Sequence, residues 1–348
     1  MGTHLYYRES FCEHEECPQI YILEKETAYQ REGKMKLQDI KKIGVAGGGT
    51  MGSGIAQIFA QNGYEVVVTD IAEKFLENTK RIILLNQKTL IKEGLLTEQQ
   101  AEESLKLISF STDKGVFKDA DLVVEAIIEK MDIKQDYWKE VEGIAPDTCI
   151  FATNTSGLSI NGICSKLNNK KRFIGMHWWN PPHIIPLIEL IKNDETSNET
   201  VQVLKELVDK IGKESVVVLK DVNGFIGNRI QFAVYREALK IVEDGVATVE
   251  DVDKAMKFGP GFRYPVLGPF ETSDLGGLDT FYYISSYLFN DLSDVKQPTK
   301  LQQEKMDNGN LGVKTGKGWY DYSDGKGEEA MARRDRNFFK MLKNIHNK

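Results

Sequence analysis

A glycine-rich turn between a short apolar strand and a helix constrains the fold of this chain more than any other feature. The strand is Lys42–Ala46, and Gly47-Gly-Gly-Thr-Met-Gly52 follows it directly. Apolar residues at helical spacing then run from Ser53 to Asn62, and a second apolar strand spans Glu65 to Thr69. This order of strand, glycine turn, helix and strand is typical of a dinucleotide-binding unit in a parallel sheet.

The glycines of the turn have separate roles in this interpretation. Gly47 allows the tight turn, Gly49 lets the backbone approach a pyrophosphate, and Gly52 lets the helix pack closely on the strand. The phosphates would face the N-terminus of the helix. Thr50 and Met51 lie within the same turn and are also predicted to contact the cofactor.

Asp70 ends the second strand and indicates which dinucleotide is bound. An acid at this place accepts hydrogen bonds from the adenosine ribose and would repel a 2′-phosphate. No arginine follows in Ile71-Ala-Glu73, so we predict NAD rather than NADP. The alternative is a glycine-rich turn that binds no ligand.

Further apolar segments indicate that the sheet continues to about residue 219. We expect strands near 107–111, 121–126, 149–153, 173–176 and 215–219. Ligands of an open parallel sheet lie beyond the carboxyl ends of its strands, so the turns after these strands should face one crevice. Candidates by position are Ala126, Glu129, Lys134, Asn154 and Ser156.

The segment Gly175–Leu190 holds a candidate acid–base pair. Glu189 lies within an apolar strand-like run, where a carboxylate is costly to bury without a partner. His177 precedes it across a proline-rich turn that could fold the chain back. A carboxylate that holds an imidazole orients a general base. The alternative is a core strand with a packed histidine and a surface glutamate.

The pattern changes to helices at Asp221. A long helix runs to about Asp244, and Thr248 opens the next helix with a capping pattern. We therefore predict an α/β fold with a flexible extension at 1–34, a Rossmann-like NAD-binding domain at 35–220 and an all-helical domain at 221–348. The helical domain is apolar enough to suggest dimer contacts. The tail from Glu328 is predicted to be a basic amphipathic helix, docked or solvated.

Composition excludes several classes of function. The net charge of −7 argues against nucleic acid as a main partner. No apolar run approaches the ~18 residues of a membrane span. The four cysteines are scattered, which suggests free thiols in a reducing cytoplasm. Cys12, His14 and Cys17 supply at most three metal ligands, so no metal site is predicted.

Six motifs in order resemble the 3-hydroxyacyl-CoA dehydrogenase family. They occupy residues 47–57, 123–129, 154–156, 175–181, 224–229 and 311–322. The resemblance implies a Rossmann-like NAD domain, a helical domain that forms a homodimer, a substrate in the cleft between them, and a place in fatty acid metabolism. It also implies that Glu129 and Lys134 contact NAD.

The resemblance assigns four catalytic residues. His177 would take the proton of the 3-hydroxyl while C3 gives hydride to the nicotinamide, and Glu189 would balance the imidazolium charge. Ser156 and Asn228 would donate hydrogen bonds to the substrate oxygen. His183 is a rival base at a position that the family does not use, and we interpret it as structural or substrate-facing.

Three departures from the family concern the substrate. The usual Phe-Phe after the histidine is Trp178-Trp179, and several lysines that meet CoA in short-chain members are replaced within residues 88–95. Arg263 is similar to an arginine of the lambda-crystallin/L-gulonate and L-carnitine dehydrogenase branch, and it could pair with a free carboxylate or serve in a structural ion pair. Trp178 could face a cationic substrate group, or pack in the core.

Three functions are compatible with the sequence. The first, which the breadth of the family resemblance favours, is NAD-dependent oxidation of a short-chain L-3-hydroxyacyl-CoA, or the reverse reduction. The second keeps this chemistry for a free 3-hydroxy acid of the gulonate or carnitine kind. The third is a non-catalytic NAD-binding structural protein or sensor.

Overall fold

Eight strands form one sheet in the computed structural model, which describes residues 35–345. The strand order is β3-β2-β1-β4-β5-β6-β7-β8. The bounds are β1 Lys42–Ala46, β2 Glu65–Thr69, β3 Ile108–Ser111, β4 Leu122–Glu125, β5 Ile150–Thr153, β6 Phe173–Trp178, β7 Leu187–Lys192 and β8 Glu214–Val218. This order, with helices on the sheet, confirms the predicted Rossmann-like class. The extension predicted for 1–34 lies outside the described residues.

Thirteen α-helices accompany the sheet within residues 35–345. They are α1 Thr50–Gln61, α2 Glu73–Lys92, α3 Glu98–Lys106, α4 Met131–Glu142, α5 Ile160–Ile163, α6 Asn198–Lys210, α7 Gly227–Glu243, α8 Val249–Phe258, α9 Pro260–Arg263, α10 Pro269–Gly276, α11 Leu278–Leu288, α12 Lys300–Asp307 and α13 Lys326–Ile345. No further strand of the sheet follows β8 in the described part of the chain, which is mainly helical there and confirms the predicted helical C-terminal part. None of the thirteen is long and apolar enough to cross a membrane.

Two strands, β7 and β8, run opposite to the other six, which departs from the predicted parallel arrangement. β7 runs antiparallel to β6, and every other pair of neighbours is parallel. The connection between β6 and β7 spans residues 179–186, which is too short for the crossover that a parallel pair needs. The antiparallel register places His177 directly opposite Glu189.

Two apolar layers cover the faces of the sheet. Val45, Ile55 and Phe59 belong to one layer, and Trp138 and Phe173 belong to the other. The side chains alternate between the layers along each strand because successive residues of a strand point to opposite faces. Burial of each large apolar side chain contributes about 1.5–3 kcal/mol. This core fixes the carboxyl ends of β1, β4, β5 and β6 along one rim.

The helices after β8 leave many large apolar side chains exposed. Leu239 is the one buried residue of α7, whereas Phe258 is 79% exposed and Phe270 is 85% exposed. A monomer rarely exposes contiguous apolar surface of this kind, so such a surface indicates an interaction site.

The last helix returns to the sheet part of the molecule. Phe339 of α13 is fully buried against Leu90 and Ile184, with Leu95 and Leu96 at the edge of this cluster. The ammonium group of Lys343 also donates to the carbonyl oxygen of Glu93. The predicted tail helix is therefore docked over the end of α2.

Candidate active site

A buried pair of side chains lies at the rim where β6 ends. His177 Nδ1 is 2.7 Å from Glu189 Oε2, and the residues are 4% and 0% exposed. The antiparallel register of β6 and β7 brings them together. When Nδ1 carries the proton and donates it to the carboxylate, Nε2 is left to accept a proton from another group. The pair therefore has the arrangement of an oriented general base.

Three further donors hold the Glu189 carboxylate. The backbone N–H groups of Ile226 and Gly227 each donate to Oε1 over 3.0 Å, and Trp179 Nε1 donates to Oε2 over 3.3 Å. Burial by itself would raise the pKa of Glu189, but the hydrogen bonds from His177 and from the start of α7 outweigh it and lower that pKa. The carboxylate is therefore ionised and can balance a charge on the imidazole.

Ser156 and Asn228 lie together at the same rim. Asn228 Nδ2 donates to the carbonyl oxygen of Ser156 over 3.2 Å, which connects the first turn of α7 to the turn after β5. Phe225, just before α7, packs on the His177 ring with the ring centroids 5.6 Å apart. The site thus draws on the sheet and on the helical part of the chain.

The glycine turn has the geometry that a dinucleotide needs. Gly47 has a φ of 90°, and a Cβ on Gly52 would lie 1.7 Å from the Gly47 carbonyl oxygen. A Cβ on Gly49 would meet nothing within 4 Å, so the backbone is open on that side. α1 begins at Thr50, earlier than the expected Ser53, so Thr50 and Met51 form its first turn. Phosphates fit the free N–H groups of such a helix start.

Asp70 lies next to this turn. Its Oδ2 accepts from the backbone N–H of Gly48 over 2.8 Å, and its Oδ1 accepts from Ile71 N over 2.7 Å. The carboxylate therefore lies beside the glycine turn, and its contact with a ribose stays a prediction. No arginine of the adjoining segment is present to meet a 2′-phosphate.

A buried ion pair network supports the rim after β4. Lys134 is 1% exposed, and its ammonium group contacts Glu125 and lies 3.1 Å from Glu129. Glu129 also accepts from Thr155 Oγ1 and, over 3.1 Å, from Ser156 N. Glu129, with 44% of its side chain exposed, is the accessible member of this network, and Lys134 holds it from the buried side.

The remaining candidate cofactor residues hold the backbone of the rim. Asn154 Oδ1 accepts from Trp178 N over 2.8 Å, which ties the end of β5 to the end of β6. Ala126 N donates to Ala46 O over 2.7 Å, so the turns after β4 and β1 are joined. Both residues adjoin the crevice predicted from the strand ends.

Two candidates lie away from the dyad. Trp178 is 1% exposed and packs edge-on against Phe59, 5.6 Å between centroids, which corrects the idea that it faces a substrate and places it in the core. Burial, the largest cause, lowers the pKa of His183 to about 4. The charges of Asp335, Lys213 and Arg334 have smaller effects on that pKa, and a pKa this low leaves the His183 imidazole neutral near pH 7.

Arg263 ends α9 on the exposed surface. Its guanidinium forms no hydrogen bond or ion pair with any residue in the described range 35–345. The structural ion pair considered for it is therefore not found within that range. Nor does that range contain a cluster of three or more side chains that could hold a metal ion; Cys12, His14 and Cys17 fall outside it.

Sequence reasoning missed the donors that complete the dyad and the acid that orients Lys134. Ile226 and Gly227 act through backbone N–H groups, which carry no side-chain signature. Glu125 comes at the end of an apolar strand, where a carboxylate in the sequence looks like a solvent-exposed residue at the strand end. The isolated carboxylate between buried positions, as at Glu189, was the one available signal.

Models of a known family cover most of the chain. The NAD-binding domain of 3-hydroxyacyl-CoA dehydrogenase matches residues 42–222, and the C-terminal domain of the same enzymes matches residues 224–322. The chain belongs to the 3-hydroxyacyl-CoA dehydrogenase family. The predicted family, the NAD cofactor and the class of NAD-dependent oxidoreductase acting on a CH–OH group are thereby confirmed.

Two curated members of this family illustrate the range of its substrates. The chain is 39% identical over 282 residues to a probable 3-hydroxybutyryl-CoA dehydrogenase of Deinococcus radiodurans, covering 81% of this chain and all of that one. It is 35% identical over 298 residues to 5-formyl-3-hydroxy-2-methylpyridine 4-carboxylate 5-dehydrogenase of Mesorhizobium japonicum, covering 85% and 96%.

Solved structures similar to this chain also include enzymes with and without a CoA substrate in their names. A crystal structure of a 5-formyl-3-hydroxy-2-methylpyridine 4-carboxylic acid 5-dehydrogenase has a TM-score of 0.82 at 34% identity and covers 88% of this chain and 99% of its own. The (S)-3-hydroxybutyryl-CoA dehydrogenase of Ralstonia eutropha has a TM-score of 0.69 at 36% identity and covers 82% and all of its own chain. Higher identity therefore does not bring higher structural similarity between these two members.

Proposed function

We propose that this family member oxidises a hydroxyl-bearing carbon of a small substrate with NAD, and that His177 is the general base. The supporting observation is the buried His177–Glu189 pair, with a carboxylate kept ionised by four donors. Bound NAD supplies the hydride acceptor. Nε2 of His177 takes the hydroxyl proton, and Glu189 balances the imidazolium charge that results.

Ser156 and Asn228 are proposed to hold the substrate oxygen. A hydroxyl and an amide are neutral donors, which polarise a keto oxygen in the reverse direction without trapping the alkoxide. The glycine turn with Thr50 and Met51 is proposed to hold the pyrophosphate, and Asp70 the ribose. Glu129, oriented by Lys134, would complete the nicotinamide side together with Asn154 and Ala126.

For the substrate, we favour a free hydroxy carboxylate over an acyl-CoA. Helix α13 covers Leu90, Leu95 and Leu96, the segment in which short-chain acyl-CoA enzymes carry lysines for CoA. Glu93 of this segment would repel a polyphosphate. The exposed guanidinium of Arg263 could form a two-pronged pair with a carboxylate. The pyridine carboxylate dehydrogenase structure, at a TM-score of 0.82, points in the same direction.

A short-chain L-3-hydroxyacyl-CoA is the second candidate. It is supported by the family models over 42–222 and 224–322 and by the relative from D. radiodurans. Lys92 remains in the segment where the other lysines are replaced. On this candidate, the chain would act in fatty acid metabolism.

One assay separates the candidates. The protein is incubated with NAD and, in turn, with 3-hydroxybutyryl-CoA, 3-hydroxybutyrate, L-gulonate, L-carnitine and a 5-hydroxymethyl or 5-formyl pyridine carboxylate, and NADH is measured. We expect activity on a free acid and little on the thioester. Thioester activity alone would overturn the preferred substrate, and NAD binding without any turnover would favour the non-catalytic structural or sensor role.

A matched pair of arginine variants tests the carboxylate contact. Arg263→Ala should raise the KM for the free acid by about tenfold or more, because a bidentate charged pair contributes roughly 1.5–3 kcal/mol. Arg236→Ala, an exposed arginine of α7, should leave the KM unchanged. An unchanged KM in both variants would remove Arg263 from the substrate site.

We also propose that the protein is a homodimer located in the cytoplasm. The exposed apolar side chains of α8 to α11 support a second copy as the partner, because they are too numerous for a free surface. Cys149 and Cys164 are free thiols within the described residues, which is typical of a reducing compartment.

A further inference from the structure

The indole of Trp179 lies against the dyad. Its Nε1 donates to Glu189 Oε2, the same oxygen that accepts from His177 Nδ1, and its ring centroid is 5.6 Å from that of the imidazole. The indole can take this place because residue 227 is glycine: a Cβ there would lie 2.3 Å from Trp179 Cζ2.

The neighbouring tryptophan does something different. Trp178 points into the core, and its indole Nε1 is buried without a hydrogen-bond partner in the described structure. The two adjacent indoles therefore differ in one respect that matters for the dyad, since one donates to the carboxylate and the other does not. A phenylalanine at position 179 would fill similar space but could not donate.

All lone-pair positions of the Glu189 carboxylate are occupied by donors. Two oxygens offer about four lone-pair positions, and the four donors on Glu189 match them. Each donor draws on the same negative charge. Two donors on one oxygen therefore divide the negative charge that a single donor would have alone. The hydrogen bond from the indole thus weakens the hydrogen bond between Oε2 and the Nδ1 proton of the imidazole.

We propose that Trp179 is a positioning residue that limits how strongly the dyad attracts a proton. It fixes the orientation of Glu189, and by sharing Oε2 it keeps Nε2 of His177 available as a base at lower pH than the isolated pair would. This role rests on the proposed function of the dyad. Among the described residues, the groups that lie against His177 are the Glu189 carboxylate and the rings of Trp179 and Phe225, and of these only Glu189 is titratable.

Trp179→Phe tests this role by removing the N–H while keeping an aromatic ring. The titration of His177 is followed by NMR in protein labelled at histidine Cε1, with the signal assigned by its loss in His177→Ala. We expect the midpoint to move to higher pH by roughly 0.3–1 unit. The reason is that the variant loses the competing hydrogen bond from the indole to Oε2, which contributes about 0.5–1.5 kcal/mol. The acid limb of the kcat/KM profile should move by the same amount.

Two controls keep the test decisive. Trp178→Phe removes an indole N–H that donates no hydrogen bond in the described structure, so the midpoint should stay unchanged. Benzothienylalanine at position 179, in which sulfur replaces the N–H, keeps the indole shape and should reproduce the shift even if Trp179→Phe folds poorly. An unchanged midpoint in the position-179 variants, or an equal shift in Trp178→Phe, would overturn the proposal.

The NMR titration needs no substrate, so the two proposals fail separately. A shifted midpoint in a protein that oxidises none of the tested substrates would overturn the proposed function and support the role of Trp179 in the pair. Turnover with an unshifted midpoint would overturn the role of Trp179 and support the proposed function.

Discussion

Glu189 is a fully buried residue at which groups from three segments of the chain meet. His177 reaches it from β6, Trp179 from the turn that follows, and the N–H groups of Ile226 and Gly227 from the start of α7. The pairing with His177 could be predicted from the sequence, because a lone carboxylate in an apolar strand needs a partner. The other donors could not, because they depend on how α7 and the indole are placed in space.

The base itself provides the first prediction. His177→Ala should lower kcat by about 10²–10⁴-fold, the usual contribution of a positioned acid–base group. The affinity for NAD, measured by fluorescence titration, should stay within about twofold, because the glycine turn and Asp70 lie elsewhere on the rim. His183→Ala serves as the matched control and should keep most of the turnover. A comparable loss of turnover in His183→Ala would contradict the assignment of the base.

Glu189 provides a prediction about pH and stability. Its pKa is lowered in the folded protein, so it contributes stability that is present above its unfolded pKa, about 4.3, and lost as the pH falls through the folded value. Glu189→Gln removes this titration. We expect the free energy of unfolding of the native protein to exceed that of the variant at pH 7, and the gap to close as the pH falls from 6 to 3. Urea unfolding at each pH measures the gap; a gap that widens on acidification would contradict the prediction.

At the scale of elements, the periodicity of apolar residues and the glycines and prolines between them located most helices and strands. The strands at Lys42–Ala46 and Glu65–Thr69 are found where the pattern predicted them. The proline-rich turn before Glu189 indicated that the chain could fold back, but the reversed direction of β7 and β8 in the sheet was not predicted, because the residue pattern of a short strand is compatible with either direction. The contact between α13 and α2 was also out of reach, because amphipathic spacing shows that a helix has an apolar face and not what covers it.

The docking of α13 can be tested at Phe339. Phe339→Ala empties a fully buried position, which in a packed core costs about 3–5 kcal/mol. Few other apolar contacts of this cluster hold α13 on α2, so we expect the helix to detach when Phe339 is removed. Hydrogen exchange should become faster over 326–345 and stay unchanged in β1 and β4. Met341→Ala, at an exposed position of the same helix, should leave the exchange unchanged; slow exchange in Phe339→Ala would contradict the docking.

At the scale of the whole molecule, the sequence predicted a sheet part followed by a helical part. The boundary expected at 220/221 falls between β8 and α7, where the two family models also meet, and as a division into domains it stays a prediction. What a single sequence could not supply is the partner of the helical part. Apolar residues on α8 to α11 have the periodicity of a core, yet in the chain alone they are exposed.

The proposed homodimer predicts the effect of charge on this surface. Phe262→Asp combined with Phe270→Asp should reduce the mass in solution to that of one chain, 39.4 kDa, because each charge would be buried without a partner. Sedimentation at several concentrations measures this mass. Phe75→Asp, at an exposed phenylalanine of α2, should leave the dimer intact. A single-chain mass for the unmodified protein would contradict the homodimer.

The hydrogen bonds from α7 to Glu189 carry a consequence for any shortened form of this protein. A polypeptide ending at Lys220 would retain the glycine turn, Asp70 and both members of the dyad. It would lack the two N–H groups on Oε1 and the Phe225 ring on His177. Such a fragment could keep the means to recognise a dinucleotide but would hold an incomplete base. The proposed proton abstraction would therefore belong to neither half and would arise only where the two are joined.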